Sequence, residues 1–310
     1  MNDRILVTGA NGFIGGALVP ELVKLNYDVY ALERYVSNRY SIPCNCDVKT
    51  IFADLTDYLA VDSLIRQIKP EIVIHLAALS PVSASYDRWQ EYIEVNFNAT
   101  INLAECLLRH DSNLKQFIYA GTSECYGNQK VFPIKETAIY KPNSPYSVSK
   151  VASVSYLRYM WEAYQFPVTL LFPFNSYGRA ACQHFIVEKI IRQMLNNKTV
   201  CLGDPTPIRD LVYISDHVNG YISTVGCKDA IGESFNICTG KSVTIKELTD
   251  KLQDLTGFDG KIIWGTIPKR PLDIEKLIGD SSKAKKILGW HPLVDLDSGL
   301  CMTIEQLRRK

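Results

Sequence analysis

The stretch Val7-Thr8-Gly9-Ala10-Asn11-Gly12-Phe13-Ile14-Gly15 limits what this chain can fold into more than any other. A β-rich run, Arg4–Thr8, leads into it, and Gly12–Asn26 leaves it with helical apolar spacing. Glycines at the junction let the backbone turn tightly, and the helix that follows opens with N–H groups that no carbonyl of its own satisfies. Strand, glycine turn and helix in that order form a βα unit with an anion seat at the helix start.

The alternation continues along the chain. Strand-like runs at Asp28–Glu33, Lys49–Ala53, Glu71–Leu76, Lys115–Ala120 and Pro167–Phe172 are separated by helical stretches at Val61–Lys69, Trp89–His110 and Ser147–Phe166. The runs are nearly continuously apolar, as expected of a parallel sheet covered on both faces. The predicted fold is thus α/β, a Rossmann doubly wound parallel sheet. After Pro173 the elements shorten and turns such as Gly203-Asp204-Pro205-Thr206-Pro207 appear. This divides the chain into a dinucleotide-binding domain over residues 1–173 and a smaller α+β lobe over 174–310, with some of the latter's strands and helices returning to the first domain. Glu33 ends the second strand eighteen positions beyond Gly15, near the spacing of a residue that binds adenosine ribose hydroxyls. A carboxylate there repels a 2′-phosphate and favours NAD. Arg34, directly after, would welcome that phosphate and keeps NADP open.

Composition narrows the partners. A net charge of +1 gives no field for nucleic acid or an anionic membrane. No apolar run has the length of a bilayer-spanning helix, and a strand begins almost at the N-terminus, where a secretory signal would stand. Nine cysteines, scattered and without C-x-x-C spacing, suit a reducing cytoplasmic setting. The pair in Cys44-Asn45-Cys46 has no nearby His or Cys to complete a metal site, and no metal is expected.

Gly9-x-x-Gly12-x-x-Gly15, Asp54-Leu55 after the third strand, His75-Leu76-Ala77-Ala78 at the fourth, and Tyr146-Ser147-Val148-Ser149-Lys150 together resemble the extended short-chain dehydrogenase/reductase family. The likeness is greatest to its NAD-dependent nucleotide-sugar epimerases and dehydratases. It implies that Gly9, Asn11, Gly12, Phe13, Ile14, Gly15, Glu33, Arg34, Asp54, Leu55, Leu76, Ala77, Ala78, Asn96 and Pro173 shape the cofactor site, with Asn96 as a structural asparagine. His75 is expected to be a satisfied core histidine. Tyr146 and Lys150, one turn apart on a helix, project the same way. A free phenol is a poor base at neutral pH, so the lysine charge and a cationic nicotinamide are expected to lower its pKa.

Thr122-Ser123-Glu124 resembles the GDP-mannose 4,6-dehydratase version of the family. The likeness implies that Thr122 bonds the sugar hydroxyl and that Glu124 removes a C5 proton. Ser123 stands where another dehydratase subgroup carries an acidic Asp, which leaves Glu124 to serve as both base and acid. Phe172-Pro173-Phe174-Asn175-Ser176-Tyr177-Gly178-Arg179 resembles the family's R-x-x-N-x-Y-G-P segment, with Phe172 in place of the arginine and Ala180 where a Pro-Arg pair often continues. By the same resemblance, Asn175, Lys189, Arg209, Arg270 and Asp273 contact a nucleotide diphosphate. A homodimer is implied, through a four-helix contact of Trp89–His110 and Ser147–Phe166. The leading expectation is an NDP-hexose 4,6-dehydratase. A 4-epimerase, a 4-keto-6-deoxy-sugar reductase, a UDP-glucuronate decarboxylase and a non-catalytic dinucleotide-sensing regulator are the alternatives.

Overall fold

The computed structural model describes residues 3–34, 48–110, 113–179 and 185–309. Cys44, Cys46 and Ala180 lie outside the described residues. The first half runs β1 (Arg4–Thr8), α1 (Gly15–Lys24), β2 (Asp28–Glu33), β3 (Lys49–Phe52), α2 (Tyr58–Ile68), β4 (Ile72–His75), α3 (Trp89–Ile93), α4 (Ala99–His110), β5 (Gln116–Ala120), α5 (Pro145–Tyr164) and β6 (Val168–Pro173). The second half adds β7 (Asn175–Tyr177), α6 (Ile186–Asn196), β8 (Thr199–Cys201), β9 (Ile208–Arg209), β10 (Leu211–Tyr213), α7 (Ile214–Thr224) and β11 (Ser234–Ile237). It closes with β12 (Val243–Thr244), α8 (Ile245–Thr256), β13 (Lys261–Ile263), β14 (Lys276–Leu277), α9 (Ser282–Leu288) and α10 (Leu296–Arg308).

Seven parallel strands form the central sheet in the order β11-β6-β5-β4-β1-β2-β3. Strand residues alternate between two apolar layers, which is why the runs contain so few polar positions. Ile5 and Val7 of β1 pack with Leu18 and Leu22 of α1, and with Tyr221 of α7. Leu6 faces the other way, toward Val61 of α2, Leu103 of α4 and Leu157 of α5. β11 comes from the second half of the chain and pairs with β6, Ser234 opposite Leu170. The remaining strands form three small sheets, β10-β7, β12-β9-β14 and β13-β8.

The chain winds outward from β1 through β2 and β3, then crosses to β4 on the other side of β1. Connections diverge at the carboxyl ends of β1 and β4, where a doubly wound sheet opens a crevice. Trp89–His110, expected as one helix, is helical throughout but broken by a single π turn at Glu94–Asn98. That turn frees the Asn96 carbonyl to accept from the Thr100 and Ser153 hydroxyls, at 2.7 and 2.8 Å.

Among buried carboxylates, Asp210 is the one most firmly held. One of its oxygens accepts from the Thr239 N–H and hydroxyl, the other from the Gly240 and Gly279 N–H groups. Burial still pushes it up to about 6. Asp210→Asn turns an amide N–H₂ toward two N–H donors. Each donor left without an acceptor costs about 1–3 kcal/mol. The variant should therefore lose stability in a denaturant titration, and unchanged stability would reject this account of Asp210.

Candidate active site

The glycine turn lies where the crevice opens. Gly9 has φ +65°, and a Cβ there would sit 2.8 Å from the Ala77 nitrogen, so the turn passes hard against the backbone after β4. A Cβ on Gly15 would meet the Gly9 carbonyl at 2.3 Å, so the start of α1 presses onto the same turn. α1 has no side-chain cap and no acidic residue in its first turn, so no side chain of its own screens the positive end of the helix from an anion. Glu33, at the carboxyl end of β2, accepts from Asn11 Nδ2 at 3.0 Å. Burial raises its pKa and the Asn11 bond lowers it less. Arg34 turns to Asp54, Nε to Oδ2 at 3.2 Å, and Thr56 holds the other Asp54 oxygen through N–H and hydroxyl. Leu55 is buried, and its carbonyl accepts from Asn102 Nδ2.

Behind this wall, His75 is the core histidine that was expected. Thr100 donates its hydroxyl proton to the Asn96 carbonyl, so it accepts from His75 Nε2–H at 2.9 Å. His75 Nδ1 then accepts from Thr8 at 2.7 Å, and Thr8 Oγ1 accepts from the Ala77 N–H. Asn96 spends its side chain on positioning. It bonds both backbone groups of Leu79 and donates to Ser149 Oγ at 3.0 Å, tying the segment after Leu76-Ala77-Ala78 to α5.

α5 begins two residues earlier than expected. Ser144 caps it in a reciprocal box with Ser147, and Pro145 occupies the first helical position. Tyr146 consequently stands in the first turn, buried, its ring edge-on to Tyr92 at 6.2 Å and its hydroxyl close enough to Thr122 for that side chain to favour the ionised form. Thr122 lies two residues beyond β5 and caps a short 3₁₀ turn, Ser123–Tyr126, by accepting from the Glu124 N–H at 3.3 Å. Here burial works against the expected shift. Burial is the largest influence on the Tyr146 phenol and pushes it well above its usual range, more than Thr122 pulls it down. Lys150 is also buried and is driven down to about 8. The protein's own groups thus keep the phenol protonated, and the lysine alone does not tune it for base chemistry.

Glu124 is buried, and its Oε2 has no hydrogen-bond partner. Burial raises its pKa, while the charges of Arg209 and Arg270 lower it less. Arg209 is buried, with its guanidinium on the Ile208 and Ile274 carbonyls at 2.9 and 2.8 Å. Arg270 pairs with Asp273. The segment carrying both is fastened from the first half of the chain. Tyr86 donates to the Pro271 carbonyl, Asn143 to that of Leu272 and Asn128 to that of Asp273. The structure therefore brings Thr122, Glu124 and Tyr146 together, with Arg209, Arg270 and Asp273 close enough to act on Glu124's charge.

Pro173 ends β6, and Asn175 follows with its Oδ1 buried and unpartnered. Phe172, where the family arginine was expected, is fully buried against Tyr126 and Tyr140. Lys189 lines a groove of about 540 Å³ with Arg192, Gln193, Cys201, Thr266 and Ile267. Sequence reasoning overlooked Tyr86, Tyr92, Asn128 and Asn143. The Ser144-Pro145 pair, an N-cap followed by a first-turn proline, was the available signal for where α5 starts. His217 is fully buried and bonded to Ser176, as befits a structural residue.

Comparison with known proteins bears on this geometry. Residues 6–303 match the family model described as GDP-mannose 4,6 dehydratase. The dTDP-D-glucose 4,6-dehydratase of Homo sapiens is 30% identical, the alignment covering 98% of this chain and 90% of that protein. The UDP-glucose 4-epimerase of Thermotoga maritima, solved with UDP-glucose, superposes with a TM-score of 0.91 at 32% identity, 99% of each chain being covered. The UDP-glucuronic acid 4-epimerase of Bacillus cereus, solved with UDP-glucuronic acid and NAD, gives 0.89 at 27% identity, again over 99% of each chain. With the parallel sheet and its glycine crevice, these whole-length matches mean that the chain belongs to the extended short-chain dehydrogenase/reductase family, among its nucleotide-sugar dehydratases and epimerases.

Proposed function

We propose that the protein is a nucleotide-sugar 4,6-dehydratase that uses NAD to convert an NDP-hexose to its 4-keto-6-deoxy form. The observation that carries this reading is Glu124, a buried carboxylate with an oxygen that has no hydrogen-bond partner, two residues from the threonine that acts on the Tyr146 phenol. A simple 4-epimerase has no step that needs such a base. NAD fits the crevice. Backbone too close for a Cβ at Gly9 and Gly15, the uncapped start of α1, and the Glu33 carboxylate are what a pyrophosphate and a ribose without 2′-phosphate require. The pairing of Arg34 with Asp54 argues against NADP.

NAD, once bound, would supply the redox partner for the sugar's C4 and C6 carbons and a positive charge that favours the Tyr146 phenolate. Tyr146 takes the C4 hydroxyl proton, and Thr122 holds that hydroxyl. The 4-keto group acidifies C5–H, and Glu124 removes this proton. Glu124 then passes that proton to the C6 hydroxyl, which leaves as water. A second proton, taken up by Glu124 from solvent, is delivered to C5 as C6 is reduced, and Tyr146 returns the C4 proton to solvent. Asn175, Lys189, Arg209, Arg270 and Asp273 hold the nucleotide diphosphate, several directed donors meeting one dianion. Residues 1–173 act as the cofactor domain and 174–310 mainly as the substrate lobe.

The test is mass spectrometry after incubation with NAD and a panel of GDP-, UDP- and dTDP-hexoses. Loss of one water is expected. Turnover with unchanged mass and altered retention would overturn the reading in favour of a 4-epimerase.

The same reading includes a homodimer through α4 and α5. Met160 and Trp161 belong to the core, the latter packed on Gly232. Val148, Tyr159 and Tyr164 are 46%, 47% and 51% exposed, enough apolar surface on one helix to need a cover. Phe97, Tyr156, Tyr159 and Tyr164 continue it as an aromatic ladder. Tyr159→Glu should yield monomers in sedimentation, and a persisting dimer would reject this interface.

A further inference from the structure

Lys150 poses a problem of charge. The residue is 3% exposed, and it makes no ion pair among the described residues. An unpaired buried cation ordinarily loses its proton. What lies against it is a ring: Nζ sits 4.5 Å from the centroid of Tyr119, a fully buried residue of β5. The negative face of an aromatic ring attracts a cation, and more strongly where water is excluded.

We propose that Tyr119 is the positioning residue for Lys150, its ring face taking the part of an acidic partner by keeping the ammonium charged and fixed one helical turn from Tyr146. The other titratable groups facing Lys150 supply no negative charge. His75 on β4 is satisfied by Thr8 and Thr100, and burial and the Lys150 charge hold it neutral, near 3. Cys125, in the turn after β5, is pushed up to about 12 by burial and is a neutral thiol. Tyr146 is a neutral phenol until it reacts. The rings of His75 and Tyr119 lie 5.8 Å apart, so a neutral His75 is also a condition for a charged Lys150 nearby.

The arrangement has a chemical reason. A carboxylate at this position would neutralise Lys150 and repel a developing phenolate at Tyr146. A ring stabilises the cation without adding a negative charge, so the full positive charge stays available to the phenolate. The consequence for catalysis rests on the function proposed above. The electrostatic claim does not, and its test needs no substrate.

The experiment is an NMR titration of Lys150 Nζ in lysine-labelled protein, the signal assigned by its loss in Lys150→Met. Tyr119→Phe keeps the face and should leave the titration in place. Tyr119→Leu removes the face while keeping an apolar side chain and should lower the Lys150 pKa by about one unit, a tenfold lower ratio of ammonium to amine at a given pH. A Leu variant that titrates like the parent protein, or a Phe variant that falls as far as Leu, overturns the proposal. Should Tyr119→Leu not fold, progressively fluorinated phenylalanines at position 119 keep the shape while draining the ring face. A stepwise fall in the Lys150 pKa supports the proposal, and indifference to fluorine overturns it. Where a substrate is in hand, Tyr119→Leu should also move the basic limb of the rate profile to lower pH. A dehydratase assignment that fails would leave the titration result standing, so the two failures are distinguishable.

Discussion

Tyr146→Phe is expected to lower turnover by about 10²–10⁴-fold, the usual contribution of one positioned proton acceptor. The variant keeps the ring that packs edge-on to Tyr92 and loses only the hydroxyl beside Thr122. Its cost to stability should be about 1 kcal/mol or less, the net worth of one hydrogen bond. Dinucleotide binding should persist, because the glycine turn and Glu33 are untouched. The check is kcat beside a binding titration. Loss of rate with binding intact is the expected pattern, and retained turnover would remove Tyr146 from the chemistry.

Glu124→Gln is expected to suppress water loss by a similar factor while leaving C4 oxidation intact, read as transient nicotinamide reduction without dehydrated product. The two predictions separate the two proton transfers, since Tyr146 serves the first and Glu124 the second. Gln keeps the volume of a fully enclosed side chain and leaves Arg209 and Arg270 free for the diphosphate, so KM should not rise. The pH dependence follows from the raised carboxyl. The base must be ionised, so the acid limb of dehydration should lie above the ordinary carboxylate range. Stability moves the opposite way. A carboxyl whose folded pKa is raised contributes stability below its unfolded pKa and loses it as pH rises through the folded value. At neutral pH the buried charge is a cost, and Glu124→Gln should be more stable than the parent protein. Undiminished dehydration by this variant would reject Glu124 as the base.

Much of this was legible before any coordinates. β1 and β2 fall on the residues read from apolar runs, because a doubly covered strand leaves an unbroken signal between turns. The helix at Trp89–His110 was read without its π turn, since one wide turn hardly disturbs a periodicity and its cause, Asn96 serving Leu79, Ser149 and Ser153, is a tertiary matter. The motif Tyr146-x-x-x-Lys150 marked the two side chains, yet spacing says nothing about burial, and burial reverses the expected shift of the phenol. Charges named singly as ligand contacts proved to be partners, Arg34 with Asp54 and Arg270 with Asp273. A sequence lists charges without stating which ones meet.

The most direct measurement of the central claim is turnover in deuterium oxide with NAD and an accepted NDP-hexose, followed by mass spectrometry and NMR of the product. Removal of the C5 proton by Glu124 and its return from solvent-exchangeable sites predict a product lighter by one water that carries a single deuterium at C5. A product of unchanged mass with no deuterium on carbon would contradict the account.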